Sequence, residues 1–248
     1  MPVVSSILAF SNWYDGTFSD AKISGVEIIH HEVRIAANGA VRLSPTPGQW
    51  ARVRDLVGRT VDARAGCVET RPAYPELGLA SMIDVQAQAD GVLLSVDVEQ
   101  PLPPELMGRA GLNLEFLPSA YSGKGYLVDG HPAVLPRHRS GPMVRAGEPG
   151  PIAGGCGFVL APEDSTRCVS VRANEGEIAL FDGRNTVQNG WFVLRSLLPA
   201  GRSGFWGQNE YVVDVGTMHI FLVNAASALL AEGSDHPAAG AALTAKEH

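Results

Sequence analysis

LNLEFLPSAYSGKGYLVDG, residues 112 to 130, is the stretch on which the reading of the whole chain turns. It opens as an apolar run that carries a carboxylate, passes through a turn rich in Pro, Tyr and Gly, and returns through Tyr126, Leu127 and Val128 to Asp129-Gly130. The pattern is two strands with a shaped loop between them. Glu115 lies between Leu114 and Phe116 in a run that otherwise reads as buried. A carboxylate in such surroundings must be paired, hydrogen-bonded or functional. The stretch is therefore both framework and first candidate for a site.

Upstream of it, a two-residue hairpin at Asp90-Gly91 is the clearest local structure. It pairs Ala89 with Val92, Ala87 with Leu94, Val85 with Val96 and Ile83 with Val98, every pair apolar. The opposite face carries Asp84, Gln86 and Gln88 on one strand and Leu93, Ser95, Asp97 and Glu99 on the other, so the sheet is antiparallel with one side in the core and one mostly in water. Nearer the N-terminus, Val3 to Phe10 reads as a strand. Ser11 to Gly16 reads as a turn in which Trp13 and Tyr14 plug the end of a sandwich or offer a flat platform to a sugar ring. Ile23 to Ile35 continues as extended chain closed by an Asn38-Gly39 turn, and Val41 to Leu43 opens a further strand. Residues 50 to 66 fit a helical turn and a loose strand equally well.

Downstream, Pro132 to Gly155 is dense in Pro and Gly and reads as a long surface loop. It either covers a sheet edge or brings His131, Arg137, His138 and Arg139 beside the Asp129 turn. Cys168 to Ala173 and Glu177 to Phe181 read as a hairpin about Asn174-Glu175-Gly176, with Asp182 to Asn185 as the next turn and Gly190 to Leu198 as a strong strand. Met218 to Gly233 reads as a helix too short and interrupted to span a membrane, followed by a frayed tail. The fold expected is all-β: a large antiparallel β-sandwich over residues 1 to 201, then a C-terminal extension over 202 to 248 with a short C-terminal helix.

Composition agrees and excludes several classes. The chain has 248 residues, 45% hydrophobic, enough for a full core. Its 28 glycines and 17 prolines favour short elements and turns. Net charge is −7 and the densest basic cluster is Arg137-His138-Arg139, so nucleic acid is not an expected partner. The three cysteines form no CxxC and no metal-ligand spacing, although Cys156 and Cys168 flank neighbouring strands and could close a bridge. The N-terminus lacks a basic region ahead of its short apolar run and does not read as an export signal.

No GxSxG elbow, phosphate loop, HExxH helix or GxGxxG appears. What remains is a set of carboxylates (Asp97, Glu99, Glu115, Asp129, Asp182) with aromatics and histidines on a β-framework. Glu115 and Asp129 are the candidate acid/base residues, and Tyr121, Lys124, Tyr126, Arg137 and His138 the candidate ligand-binding ones. No cofactor is implied. A cupin-like metal site from scattered histidines such as His131 and His138 is disfavoured, because lone histidines are more often solvated surface groups than ligands.

Three blocks carry a resemblance: FSNWYDGTFSDAKISGVEIIHH (10 to 31), LNLEFLPSAYSGKGYLVDG (112 to 130) and DGRNTVQNGWFVLRSLLPAG (182 to 201). Together they resemble the N-terminal β-sandwich region of bacterial glycoside hydrolases of family nine, the endoglucanase type. That resemblance implies a β-sandwich ahead of an α-helical barrel, and the barrel supplies the catalytic carboxylates. The chain contains neither a matching DxxD-type motif nor room for the barrel. The function expected is a β-sandwich module of a carbohydrate-active enzyme, non-catalytic alone, with a carbohydrate or a catalytic domain as partner. The alternative is a stand-alone hydrolase of β-glucans working through a carboxylate pair. A missing barrel also implies an exposed apolar patch, which the helix from Met218 would cover or use for self-association.

Overall fold

The computed structural model describes residues 4–9, 25–30, 33–43, 55–88, 91–143, 150–174, 176–185, 190–197, 208–214 and 219–221. It is an all-β sandwich. In chain order the strands are β1 (Val4–Ala9), β2 (Val26–His30), β3 (Val33–Leu43), β4 (Asp55–Asp62), β5 (Cys67–Tyr74), β6 (Leu79–Ala87), β7 (Gly91–Val98) and β8 (Ala110–Phe116). After a one-turn helix α1 (Pro118–Tyr121) come β9 (Gly125–Val128), β10 (His131–Val134), β11 (Ala153–Gly155), β12 (Gly157–Leu160), β13 (Val169–Ala173), β14 (Ile178–Asp182), β15 (Phe192–Leu197), β16 (Gln208–Asp214) and β17 (His219–Phe221). One sheet has the order β11-β14-β15-β8-β3-β2-β1-β17 and the other β10-β9-β12-β13-β16-β7-β6-β5-β4. Every pairing is antiparallel except that of β1 with β17.

The core lies between the sheets. Ile28, Val41, Leu112, Leu114, Phe116, Leu180 and Leu194 from the first meet Ile83, Val85, Leu94, Val96, Phe158 and Val171 from the second. These positions alternate along their strands, as a sheet with one face in a core requires. Tyr74 ties the layers together, its hydroxyl donating across the sandwich to the carbonyl of Val41 at 3.0 Å.

Residues 112 to 130 do form two strands with a shaped loop, and the loop has a larger task than joining neighbours. β8 belongs to the first sheet and β9 to the second, so α1 and the residues around it carry the chain from one layer to the other. The turn that follows is a local hairpin. Asp129 (φ +47°) and Gly130 (φ +83°) both sit in the left-handed region, and His131 pairs with Val128 across them. That is the Asp-Gly geometry of a type I′ turn, whose twist matches that of the strands.

Several expectations need correction. The hairpin between β6 and β7 keeps its apolar face but slips by two residues: Ala87 pairs with Val92, Val85 with Leu94, Ile83 with Val96 and Ser81 with Val98. Because side chains alternate with period two, a slip of two leaves the same residues inside. Asn38-Gly39 is a bulge within the single long strand β3, not a turn; the pairing of β3 with β8 shifts between Ala37 and Ala40, with Asn38 at φ +56°. The stretch left open between 50 and 66 contains edge strand β4.

Asn174 to Gly176 likewise does not close a hairpin, since β13 is in the nine-stranded sheet and β14 in the eight-stranded one. The long loop begins as a strand, β10, paired along its length with β9, and Leu135 after it is fully buried. The extension expected from residue 202 returns to the sandwich, because β16 lies between β13 and β7. The helix expected from Met218 gives way to strand β17 at residues 219 to 221; the rest of that segment lies outside the described residues, as do Trp13 and Tyr14.

The bridge between Cys156 and Cys168 does not form, and all three cysteines are free. The amide of Ala173 donates to the Cys156 carbonyl, so Cys156 faces Ala173 at one end of the β12–β13 pair, while Cys168 precedes β13 at the other. Five residues of strand separate those ends, about 17 Å, far beyond the 7 Å Cα limit for a disulfide.

Candidate functional site

The candidate residues around 112 to 130 are dispersed over both layers. Glu115 lies in the middle of β8, between Ala37 on β3 and Val193 on β15, and is 2% exposed. Its neighbours Leu114 and Phe116 point into the core, so alternation sends its carboxylate to the opposite, outer face of the sheet. There it accepts a hydrogen bond of 2.8 Å from the amide of Asn38. The bulge at Asn38 makes this contact possible: the left-handed backbone and the extra residue aim an amide at a site that regular alternation would fill differently. Glu27 on β2, 1% exposed, takes a second buried carboxylate onto the same sheet and is met by Arg34 at 3.2 Å.

Asp129 does a different job at the other layer. Its carboxylate accepts the amide N–H of Cys156 at 3.1 Å and of Gly157 at 2.8 Å, and its own N–H donates to the Gly157 carbonyl at 2.9 Å. It thereby fastens the start of β12 to the hairpin turn. Gly155 is required beside it, because a Cβ there would collide with the Asp129 carboxylate and with Val128. Glu115 and Asp129 thus belong to different sheets and each holds backbone or amide donors; they do not face one another across a cleft.

The two tyrosines are core residues. Tyr121 is fully buried, its ring edge-on to Phe116 at 5.3 Å and its hydroxyl donating to the Arg167 carbonyl at 2.9 Å. Burial raises its phenol pKa well above the ordinary value, with Cys168 and Asp164 adding to the rise and Arg167 opposing it. Tyr126, 6% exposed, stacks on Phe158 at 6.4 Å, and burial raises its pKa as well. Neither presents a ring to a ligand.

Lys124 forms an ion pair with Asp164 at 2.9 Å, and Arg167 reaches the same oxygen at 3.4 Å. The Thr166 hydroxyl at 2.7 Å and Lys124 hold the Asp164 carboxyl far below the usual carboxylate range. Arg137 is exposed and lays its stem on Gly123, where a Cβ would come within 2.7 Å of its Cγ; His138 is exposed next to it.

Arg184 is the residue that sequence reasoning missed. It holds Asp182 with a two-pronged contact, Nε to Oδ1 at 2.8 Å and Nη2 to Oδ2 at 2.7 Å. The same guanidinium donates to Ser122 Oγ at 2.9 Å and to the carbonyls of Pro136 at 2.8 Å and Arg137 at 3.1 Å, and lies 4.5 Å above the Phe192 ring. It pins the loop after α1 and the segment after β10 to the turn after β14. The Asp182-Gly183 turn signal was visible in the sequence, but only a contact across 62 residues gives Arg184 its role.

Between the sheets, Leu94, Leu112, Leu114, Val171, Ile178 and Leu194 line an apolar pocket of about 20 Å³, room for a water-sized molecule and not for a sugar. Among the described residues, no group of three or more His, Cys, Asp or Glu side chains is placed to hold a metal ion, and no helix is long and apolar enough to cross a membrane. Compared with known proteins, the chain matches no family model and no curated relative.

Proposed function

We propose that the chain is a non-catalytic β-sandwich module of a carbohydrate-active enzyme, serving to pack against a catalytic domain. The observation that carries this reading is the commitment of both candidate carboxylates to the framework: Glu115 is buried on one sheet with Asn38, and Asp129 is bonded to two backbone amides beside the other. Hydrolysis of a glycosidic bond needs two carboxyl groups flanking one substrate, roughly 5 to 10 Å apart. Tyr121 and Tyr126 are both in the core and offer no stacking platform, which favours packing over sugar binding at this stretch. The link to carbohydrate chemistry rests on the three sequence blocks that resemble the family nine sandwich.

The experiment is hydrolysis of a soluble β-glucan by the purified chain, measured beside a Glu115→Gln, Asp129→Asn double variant. Turnover at the level of buffer for both is the expected result. Robust turnover by the parent that disappears in the variant overturns the module reading in favour of a stand-alone hydrolase.

A further inference from the structure

Among the described residues, the outer face of β8 and its neighbouring strands gathers arginines around few carboxylates. Strand alternation sets Gly111, Asn113 and Glu115 on that face, and the register brings Arg42 of β3 opposite Gly111 and Arg195 of β15 opposite Asn113. Arg195 is 4% exposed; its guanidinium donates to Asn113 Oδ1 at 3.3 Å, to the Arg42 carbonyl at 3.5 Å and to the Arg109 carbonyl. Burial lowers its pKa to about 10, with Tyr74 and Glu115 opposing, so it stays protonated at neutral pH.

Arg42 lies beside it, 8% exposed, with no hydrogen-bond partner for its Nε; the Nδ2 of the fully buried Asn113 has none either. Among the described residues, two guanidiniums thus share this end of the face with one carboxylate, that of Glu115, whose Oε1 accepts no hydrogen bond, while Glu27 is engaged by Arg34. A buried donor without an acceptor and a buried cation without a counter-ion are both costly, and native structures rarely leave either.

We infer that Arg42, Asn113 and Arg195 form a binding site for a carboxylate, held by the Nε of Arg42 and the Nδ2 of Asn113. A singly charged group with two acceptor oxygens matches both the surplus of one positive charge and the two open donors. Leu197, opposite Gly111 and 48% exposed, shows that this end of the face reaches solvent. The carboxylate comes from a free small acid or from an Asp or Glu side chain of a partner. The site stands whether or not the module reading does.

The test is thermal unfolding of the full chain and of Arg42→Met at pH 7, in acetate, in aspartate blocked at both backbone ends, and in chloride at equal ionic strength. In the parent, at about tenfold excess over the dissociation constant, the acid should raise the midpoint by roughly 3–6 °C over chloride, and Arg42→Met should lose that rise. A rise in acetate identifies a free acid as sufficient, and a rise in blocked aspartate alone identifies a side-chain carboxylate. No rise in either, or an equal rise in Arg42→Met, overturns the inference. Should Arg42→Met not fold, Arg42→Gln removes the charge and keeps a polar side chain; a rise equal to the parent's then overturns it.

Discussion

The side-chain amide of Asn38 donates to the buried carboxylate of Glu115 at 2.8 Å, joining a bulge in β3 to the middle of the adjacent strand across 77 positions of sequence. The contact makes the bulge and the carboxylate depend on each other. Removing the amide takes one hydrogen-bond donor from a buried carboxylate, so Asn38→Ala should destabilise the chain by about 1–3 kcal/mol, with added strain from the left-handed backbone at φ +56°. Asn38→Gly loses the same hydrogen bond but keeps the backbone permissive. Urea midpoints should therefore fall in the order parent, Gly, Ala. A Gly variant as unstable as the Ala variant would show that strain contributes nothing there.

Arg184 should tolerate no conservative replacement. Asp182 is 5% exposed, and Arg184→Ala abandons its charge in a buried place, a loss of about 3–5 kcal/mol. Arg184→Lys supplies a point charge but not the fork that reaches Asp182, Ser122 and two carbonyls at once, so it should recover well under half of that loss. Chemical denaturation of the three proteins measures both steps.

Acid should weaken the Lys124–Asp164 corner late. The folded pKa of Asp164 is depressed by Thr166 and Lys124, so the unfolded chain binds its proton first. The resulting stabilisation is fully present above the ordinary carboxylate pKa, near pH 4, and is lost as pH falls from there towards the much lower folded value. Stability curves of the parent and Asp164→Asn should run parallel from pH 8 to pH 5 and converge below pH 4. Parallel curves down to pH 2.5 would rule this out.

The thiols should separate by reactivity. Cys67 donates to Asp84 at 2.8 Å, and burial together with that carboxylate pushes its pKa up to about 12. Its thiolate is therefore scarce at pH 8, whereas Cys156 is exposed. Alkylation of the native chain at pH 8, followed by peptide mapping, should label Cys156 first and Cys67 last. The same map should contain no peptide linked through Cys156 and Cys168.

Local signals in the sequence told where the backbone bends and were weak on what the bend connects. Asp129-Gly130 and Asn38-Gly39 both announce a left-handed backbone. One becomes a tight hairpin; the other becomes a bulge, because β3 has β2 and β8 waiting on its two edges and continues past the kink. Gly176 does adopt φ +79°, yet the chain there crosses between layers, which only the partners of β13 and β14 decide. In the candidate site, the need of Glu115 for a partner was legible from its apolar neighbours, while the partner itself, Asn38, was not. Tyr121 and Tyr126 misled because a Gly-rich turn says nothing of depth, and both rings are core.

The place of β16 bears on how the protein is made. The nine-stranded sheet consists of β10-β9-β12-β13 on one side and β7-β6-β5-β4 on the other, and β16 alone joins them. It is supplied about 110 residues after β7 has left the ribosome, a wait of about 5 to 20 seconds at ordinary rates of synthesis. Until then β7 and β13 each present an open edge, the kind of surface on which nascent chains pair with one another. The sandwich is thus closed from its middle by almost the last described strand, and those two edges stay open through most of translation.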